Sequence, residues 1–358
     1  MQAAIIFFFF GISLYPAPAF ASENIRVVLA DDLKAVVVGS ESGLVVEGRP
    51  AERKEKKLVF RAASASGRPV RVRSSGAFLT VNDIRYRGWV ELRKKSNGLL
   101  MAVNDLDLED YLLGVVAAEV PSRWELEALK AQAVAARTYA LYQKRTAGRR
   151  PYHLFATVSS QVYAGVAAEG TRADAAVRAT RGMVIVYGNE PIQAFYHSSC
   201  GGLTENVAEL WGIDAPYLRG VDCDCQEISR YGLWEKRIGK TRVKSALEQQ
   251  GYRPGDILDM AIRGLTSAGR VREVVIRSTR GRLLMPAASL RAALGNDLIP
   301  SVFFELAMDG DDAVFSGRGN GHGIGLCQWG AEYMARKGAD FRGILSHYYP
   351  GTGLARMW

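Results

Sequence analysis

Short hydrophobic segments separated by glycine, serine, asparagine or charged residues dominate the first third of the chain. Between residues 24 and 105 they include ENIRVVLA, LKAVVVGS, RPVRVRS, AFLTVN and GWVELRKK, which are rich in β-branched side chains. Runs of this length and composition are typical of β-strands bounded by turns. The pattern therefore predicts a β-rich N-terminal region over residues 22–105.

The spacing of hydrophobic residues becomes helical after these strands. Asp107 is a suitable N-cap for a helix over residues 108–118. Ser122, followed three residues later by Glu125, has the pattern of a capping box and predicts a second helix from Arg123 to Lys144. We therefore expect two consecutive helices directly after the β-rich region.

The remainder of the chain mixes both patterns without a clean linker. ADAAVRATRG, KTRVKSALEQQG and DFRGILSHYYPG have helical periodicity, whereas MVIVYGN, PIQAFYHSS and REVVIRST have the character of strands. We expect an α+β fold, in which the β-rich N-terminal region is followed by a mixed core domain over residues 106–358.

The first 21 residues differ from the rest of the chain in composition. Residues 3–14 are an apolar run that is too short to span a bilayer comfortably, and Ala19-Phe20-Ala21 has the small-x-small pattern of a cleavage site. No lysine or arginine precedes the run, and an uncleaved anchor or a core strand is the alternative interpretation. We expect a signal peptide over residues 1–21, export to the periplasm or cell wall, and membrane contact only through this segment.

Composition and charge narrow the class of protein. Of the 358 residues, 48% are hydrophobic and 23% are charged, which is the composition of a folded globular protein. The net charge of +9 favours contact with anionic polymers or surfaces, although solubility alone would also explain it. Because an exported protein does not normally meet nucleic acid, we expect no nucleic-acid partner.

Four cysteines raise the question of their chemical state. In an oxidising compartment Cys200 can form a disulfide with Cys223 or Cys225. Alternatively, His197 and these three cysteines offer one imidazole and three thiolates to Zn²⁺, although C-x-C is not the usual C-x-x-C spacing. Unpaired thiols are the third interpretation, and Cys327 has no assigned partner.

A single carboxylate stands between the two predicted helices. Glu119 lies at the C-terminal end of the first helix, two residues before Pro121. The helix dipole and the apolar neighbours Val115 and Val116 both raise a carboxyl pKa, which suits a general acid at neutral pH. The competing interpretations are a solvated acid at a helix end and an internal salt bridge with Arg137.

A glycine-rich loop near the C-terminus is the second candidate for chemistry. SGRGNGHGIGLCQWGA, residues 316–331, has five glycines in its first ten residues and presents Asn320, His322 and Gln328. It lacks the G-x-x-x-x-G-K-[ST] motif of a phosphate-binding loop. A tight turn packed under a helix is the structural alternative. The chain also lacks H-E-x-x-H and G-x-S-x-G, which disfavours the corresponding hydrolases.

These two stretches carry a family resemblance. YLLGVVAAEVP with EALKAQAVAARTYAL, and GRGNGHGIGLCQWGA with ILSHYYPGT, resemble the two signatures of the stage II sporulation protein D / LytB family. ATVSSQVYAG and FYHSSCGGLTENVAELWG resemble segments between them, so that the resemblance covers roughly residues 25–355 in order. It implies lytic cleavage of peptidoglycan glycan strands, or stimulation of a cell-wall amidase.

The resemblance also implies roles for individual residues. Glu119 matches the catalytic acid of the family's E-x-P motif, and a lytic transglycosylase needs only one carboxylate. It protonates the glycosidic oxygen and then deprotonates the sugar's own 6-hydroxyl, which closes an anhydro ring. The candidates for binding the glycan are Arg137, Gln132, Tyr163, His197, His322 and Gln328.

One departure from the family concerns metal. Some members bind zinc through histidine and cysteine just before the Q-x-Y segment, but here HLFATVSSQVY retains His153 and has no cysteine. We therefore expect no metal and no cofactor, and a disulfide among Cys200, Cys223 and Cys225. The two alternatives to an enzyme are a non-enzymatic activator of a cell-wall N-acetylmuramoyl-L-alanine amidase and a wall-anchoring module.

Overall fold

The computed structural model describes residues 23–49, 55–170 and 172–358. The predicted signal peptide, residues 1–21, lies outside this part of the chain. The described residues form eight α-helices and several β-sheets, and they confirm the predicted α+β class. None of these helices has the length and apolarity needed to cross a membrane.

The N-terminal region is β-rich, as predicted. Its first and longest strand pairs with its last, and both belong to a six-stranded sheet, while a second sheet of four strands packs nearby. The strands are β1 (Asn24–Leu33), β2 (Ala35–Gly39), β3 (Leu44–Val46), β4 (Lys57–Arg61), β5 (Val70–Ser74), β6 (Leu79–Val81), β7 (Ile84–Tyr86), β8 (Trp89–Lys94) and β9 (Leu100–Asp107).

Two long helices follow directly and are joined to short strands and helices. The first begins where predicted, because the Asp107 carboxylate accepts the Glu109 N–H at 2.8 Å. The elements are α1 (Leu108–Glu119), α2 (Leu126–Thr146), β10 (Leu154–Phe155), α3 (Arg172–Ala179), β11 (Met183–Tyr187), β12 (Glu190–Pro191), β13 (Tyr196–His197) and α4 (Val207–Trp211).

The predicted start of the second helix was wrong. Helix α2 begins at Leu126, and Ser122 makes no capping bond, because the Trp124 N–H donates to the Pro121 carbonyl and forms a turn there. The Glu125 N–H donates instead to a carboxylate oxygen of Glu332 at 2.9 Å. A side chain distant in sequence therefore accepts the hydrogen bond of a backbone N–H group at the start of α2.

Residues 234–317 form a unit that we call the inserted module. Its hydrophobic core is its own, and its first and last strands pair so that Trp234 lies opposite Gly317. The elements are β14 (Trp234–Gly239), α5 (Lys240–Gln249), β15 (Ile257–Leu265), β16 (Val271–Ser278), β17 (Gly281–Pro286), α6 (Ala287–Leu294), β18 (Phe304–Asp309) and β19 (Asp312–Gly317).

We call the described chain outside the inserted module the body. The C-terminal segment, which follows the module, packs against the earlier part of the body. Strand β20 pairs in parallel with β13, and the last strand pairs with β11. The elements are β20 (Leu326–Cys327), α7 (Gln328–Arg336), α8 (Phe341–Tyr348) and β21 (Gly353–Arg356).

Helix α2 is the centre of the body. Ala133, Ala136 and Ala140 pack in a cluster with the N-terminal strands and α1, while Ala131 and Ala135 pack in a second cluster with α7 and α8. A helix buried on both faces needs small or apolar residues all round. The first cluster also joins residues from both sides of the domain boundary predicted at 105/106; the division itself stays a prediction.

Candidate functional site

A cleft of about 660 Å³ lies between the body and the inserted module. The body contributes the ends of α1 and α4, a residue of α2, the 158–162 loop, β13, the segment before the module and the glycine-rich loop. The module contributes α6 and the loop after it. The chemically relevant lining residues are Glu119, Tyr139, Tyr196, His197, Trp211, Arg230, Tyr231, Arg291, Asn296, Asp297, Asn320, His322 and Gln328.

Glu119 is the last residue of α1, and its carboxylate forms part of the cleft wall. One carboxylate oxygen accepts the Val162 N–H at 2.7 Å. Burial raises the pKa of Glu119, while hydrogen bonds from the Val162 N–H and from the Gln328 and Tyr196 side chains oppose that shift. The net increase in pKa was expected from the sequence, and it keeps a larger fraction of the carboxyl protonated at a given pH.

A buried network orients the Tyr196 hydroxyl toward Glu119. Gln161 is buried, and its amide Nε2 donates to the Tyr196 hydroxyl at 2.9 Å. The Gln161 carbonyl oxygen in turn accepts the Tyr111 hydroxyl proton at 3.1 Å. Because Tyr196 already accepts from Gln161, its own proton is available for the Glu119 carboxylate. Gln161, which was not among the residues predicted from the sequence, therefore fixes the orientation of the Tyr196 hydroxyl.

Two histidines lie side by side in the cleft, with ring centroids 5.4 Å apart. His322 donates from Nε2 to the Tyr196 carbonyl at 2.9 Å and accepts the Ile324 N–H at Nδ1. His197 donates from Nδ1 to the Ile324 carbonyl at 3.1 Å. Burial lowers the pKa of His322 to about 4 and that of His197 well below its ordinary value. Both rings are therefore neutral at neutral pH.

The Nε2 atom of His197 is a free acceptor. Its tautomer places the proton on Nδ1, and Nε2 is buried without a hydrogen-bond partner among the described residues. Buried polar atoms are seldom left unpaired, and those that are need an explanation. Because almost none of its surface is accessible, a partner from the cleft could reach this atom only after neighbouring atoms move.

The glycine-rich loop brings its polar residues to the cleft through close backbone contacts. Gly321 has a φ of +108°, and a Cβ at this position would lie 2.8 Å from the Cβ of His197. The backbone of Asn320 pairs with that of Ser199 in both directions. His322 and Gln328 thereby line the cleft. Their predicted contact with glycan stays a prediction.

Three predicted glycan-binding residues do not line the cleft. Arg137 is fully buried and donates to both carboxylate oxygens of Glu109 at 2.9 and 2.7 Å, so its ion-pair partner is Glu109 and not Glu119. Gln132 is buried within the body, and the Tyr163 hydroxyl donates to Asn104 at 3.1 Å. All three side chains are buried, which explains why they do not reach the cleft.

Further lining residues come from other parts of the chain and were not predicted from the sequence. Trp211 ends α4, Arg230 and Tyr231 precede the inserted module, and Arg291 and Asp297 belong to the module itself. No local pattern marks them, because only the packing of the module against the body brings them to the cleft. Asp297 and Glu119 are the two acids of this lining.

All four cysteines are free and buried behind the cleft, and their sulfur atoms lie within 4.8 Å of one another. We call them the thiol cluster; its members are Cys200, Cys223, Cys225 and Cys327. The sulfurs of Cys200 and Cys225 are 3.5 Å apart, well beyond the disulfide bond length of about 2.05 Å. The predicted disulfide is thus not formed here, and Cys327, rather than His197, is the fourth member of the set.

Comparisons with known proteins agree with the resemblance found in the sequence. The family model described as Stage II sporulation protein matches residues 96–187, a segment that contains Glu119. Stage II sporulation protein D of Bacillus subtilis is 32% identical over 279 residues, which cover 71% of this chain and 76% of that protein.

Two further relatives extend the comparison. An uncharacterized protein of Brachyspira hyodysenteriae is 31% identical over 279 residues, which cover 77% of this chain and 73% of that protein. The Amidase enhancer of Bacillus subtilis is 30% identical over 288 residues, which cover 68% of this chain but only 40% of that protein.

Proposed function

Because the chain belongs to the stage II sporulation protein D family, we propose that it is an exported lytic transglycosylase that cleaves the glycan strands of peptidoglycan between N-acetylmuramic acid and N-acetylglucosamine. One observation carries this proposal. The carboxyl group of Glu119 lies in the wall of a large polar cleft, is held by the Val162 N–H, and has a raised pKa because it is buried.

The proposed reaction uses Glu119 twice. In its protonated form it donates a proton to the glycosidic oxygen, and the bond between that oxygen and C1 of N-acetylmuramic acid breaks. The resulting carboxylate then accepts the proton of the 6-hydroxyl of the same sugar, whose oxygen bonds to C1. The product carries a 1,6-anhydro ring, no water is consumed, and Glu119 returns to its protonated form.

Other lining residues suit the binding of such a glycan. Trp211 and Tyr231 offer aromatic surfaces to sugar rings. Arg230 and Arg291 supply positive charge for the carboxylates of the lactyl groups or stem peptides. The net charge of +9 would add a general attraction to an anionic wall.

Asp297 is a second carboxylate in the cleft, and ordinary glycoside hydrolases use two carboxylates. It comes from the loop after α6 in the inserted module and lines the same cleft as Glu119. In the proposed single-acid mechanism, Asp297 contacts substrate without transferring protons. A two-carboxylate hydrolase would instead need both acids and would produce reducing ends.

The decisive experiment compares three proteins on glycan strands stripped of stem peptides. The parent chain should release fragments with anhydromuramic ends, detected by mass spectrometry. Glu119→Gln should lower the rate by about 10²–10⁴-fold, as expected for loss of a general acid. Asp297→Asn, the matched control, should still form anhydro ends. Reducing ends from the parent, together with loss of activity in both variants, would contradict the proposal.

A second function is favoured by one relative. The relative named Amidase enhancer is 30% identical to this chain, which favours a second proposal: the cleft binds glycan and the chain activates a cell-wall amidase without cleaving the glycan itself. In that case neither the parent nor Glu119→Gln would form anhydro ends. Both would bind glycan and accelerate an added N-acetylmuramoyl-L-alanine amidase equally, which separates the two functions.

A further inference from the structure

We propose that the thiol cluster is a structural zinc site, in which all four cysteines bind one Zn²⁺ as thiolates. This inference rests on the positions of the four sulfurs and is independent of the proposed activity on glycan. It replaces the expectation from the sequence that the chain holds no metal.

The geometry of the four sulfur atoms suits tetrahedral coordination. Tetrahedral Zn²⁺ with Zn–S bonds of about 2.3 Å places neighbouring sulfurs roughly 3.8 Å apart. Here the sulfurs of Cys200 and Cys225 are 3.5 Å apart, and every pair in the cluster lies within 4.8 Å. Small movements would therefore bring all four sulfurs to zinc–ligand distances.

The four ligands come from three separate segments of the chain. Cys200 follows β13, Cys223 and Cys225 flank a single residue in the loop after α4, and Cys327 precedes α7. All four are buried, and together they would fill the four positions of tetrahedral zinc without a water ligand. This is the arrangement of closed structural zinc sites rather than catalytic ones. Four convergent sulfurs select a soft metal, whereas Mg²⁺ and Ca²⁺ require oxygen ligands.

Neighbouring groups donate hydrogen bonds that stabilise thiolates. The Cys327 sulfur accepts the backbone N–H groups of Cys200 at 3.3 Å and Gly330 at 3.4 Å. It also caps the N-terminus of α7, where the helix dipole favours negative charge. The hydroxyl of Tyr348 lies 3.1 Å from the Cys223 sulfur. Such outer contacts commonly orient the ligands of a metal site.

The space around the cluster is limited by a glycine. A Cβ at Gly330 would lie 1.9 Å from the Tyr348 hydroxyl and 2.4 Å from the Cys223 sulfur. The absence of a side chain at Gly330 therefore allows α7 to approach the cluster closely enough for its N–H to reach sulfur.

The proposed site would fix residues of the cleft. Cys327 directly precedes Gln328, which lines the cleft, and the strand that ends at Cys327 pairs with the one that ends at His197. Zinc would thus connect the glycine-rich loop to β13 behind the candidate catalytic side chains. Its role is positional, since none of the four sulfurs lines the cleft.

The test measures metal and thiols in the full mature chain, purified under reducing conditions. Elemental analysis should find about one zinc per chain. The thiols should react slowly with Ellman's reagent in the folded protein and completely after denaturation with a chelator. Replacement of zinc by Co²⁺ should produce the visible absorption bands of tetrahedral cobalt thiolate. Cys225→Ser and Cys327→Ser should each lose most of the zinc.

Ser199→Ala is the matched control, because its hydroxyl contacts the Cys225 sulfur at 3.5 Å while all four thiols remain. Its zinc content should equal that of the parent. If the cysteine variants do not fold, the metal content and the cobalt spectrum of the parent still test whether the thiol cluster binds zinc. Iron in place of zinc, a mass showing disulfides in the metal-free protein, or four free thiols after zinc addition would each overturn the inference.

Discussion

The Tyr196 hydroxyl lowers the pKa of Glu119 below the value that burial alone would give. This hydroxyl stabilises the ionised carboxylate and so opposes the increase in pKa that burial causes. Tyr196→Phe removes that hydrogen bond and should raise the pKa of Glu119 further. If the protonated acid begins the reaction, the descending limb of kcat/KM against pH should move to higher pH.

Tyr139→Phe is the control for this prediction. Tyr139 also lines the cleft, but the side-chain hydrogen bonds that lower the pKa of Glu119 come from Gln328 and Tyr196. The pH profile of this variant should keep its descending limb in place. A Tyr196→Phe profile with an unchanged or lower limb would mean that Tyr196 does not bond to the ionised acid during the reaction.

Arg137 illustrates a different use of a charged residue. Its fully buried guanidinium is paired with Glu109 and also donates to the carbonyls of Met183 and Val177. Arg137→Leu should lower the free energy of unfolding by about 3–5 kcal/mol, because it leaves the Glu109 charge buried and unpaired. Urea denaturation measures this, and the folded fraction should retain the parent's KM.

Arg145 provides the comparison, since its ion pair with Glu190 is exposed. Arg145→Leu should change the unfolding free energy by only about 0–1 kcal/mol. An increase in KM for Arg137→Leu without loss of stability would restore the interpretation that Arg137 binds the glycan.

The candidate residues that line the cleft have local signals in the sequence. Glu119 ends a recognisable helix before a proline, and His322 and Gln328 lie in a glycine-rich loop. Arg137 lies in an equally distinctive motif, but the burial of its helix face and the position of Glu109 determine its partner. A motif identifies an important side chain without showing whether it faces a ligand or the core.

At the level of elements, the glycine-rich loop depends on close backbone packing. Gly321→Ala combines a left-handed φ of +108° with a contact of 2.8 Å to the Cβ of His197. We expect a loss of stability of about 1–3 kcal/mol and a displacement of His197 that weakens glycan binding. Thermal unfolding and glycan titration measure the two effects.

Gly338→Ala separates backbone strain from crowding. Gly338 has a φ of +92°, and a Cβ there meets nothing within 4 Å. This variant should lose stability through strain alone and should bind glycan like the parent. Equal binding by both variants would show that the approach of Gly321 to His197 is not important for the cleft.

The two long helices show which features of an element the sequence can predict. The Asp107 side chain caps α1 by accepting the N–H of Glu109, two residues away. A local pattern was therefore sufficient to predict where α1 begins. The start of α2 depends on Glu332, and Trp124 packs against Trp329 with ring centroids 5.0 Å apart. Tertiary contacts therefore moved this boundary from the capping-box position to Leu126.

At the level of the whole molecule, buried polar contacts attach the inserted module to the body. The Arg270 guanidinium lies 3.6 Å from the Glu205 carboxylate, and both side chains are almost fully buried. Thr266 of the module also donates to Glu205. Arg270→Met should destabilise the protein by about 3–5 kcal/mol, because Glu205 keeps an uncompensated charge.

A double-mutant cycle tests whether the uncompensated charge of Glu205 causes this loss of stability. Combining Arg270→Met with Glu205→Gln removes both charges and should recover part of the unfolding free energy. Arg272→Met is the control, since its pair with Glu209 is much more exposed. Strictly additive losses in the double variant would argue against coupling between the module and the body through this pair.

The assembly of the cleft and the thiol cluster could not be predicted from local patterns. The lining residues of the inserted module lie more than a hundred positions from Glu119, and their approach depends on how the module packs against the body. The same applies to the cysteines, because Cys327 joins Cys200 from 127 positions away. Sequence patterns predicted the elements, whereas tertiary packing determined their partners.

The pairing of β13 with β20 has a consequence for folding kinetics. The bonds that hold His197 to Ile324 and Cys200 to Cys327 each close a loop of 127 residues. Contacts so distant in sequence form slowly, because the chain loses entropy before the contact stabilises it. A refolding chain should therefore acquire its strands and central helix first, and it should regain the ability to bind a ligand in the cleft only in its final phase.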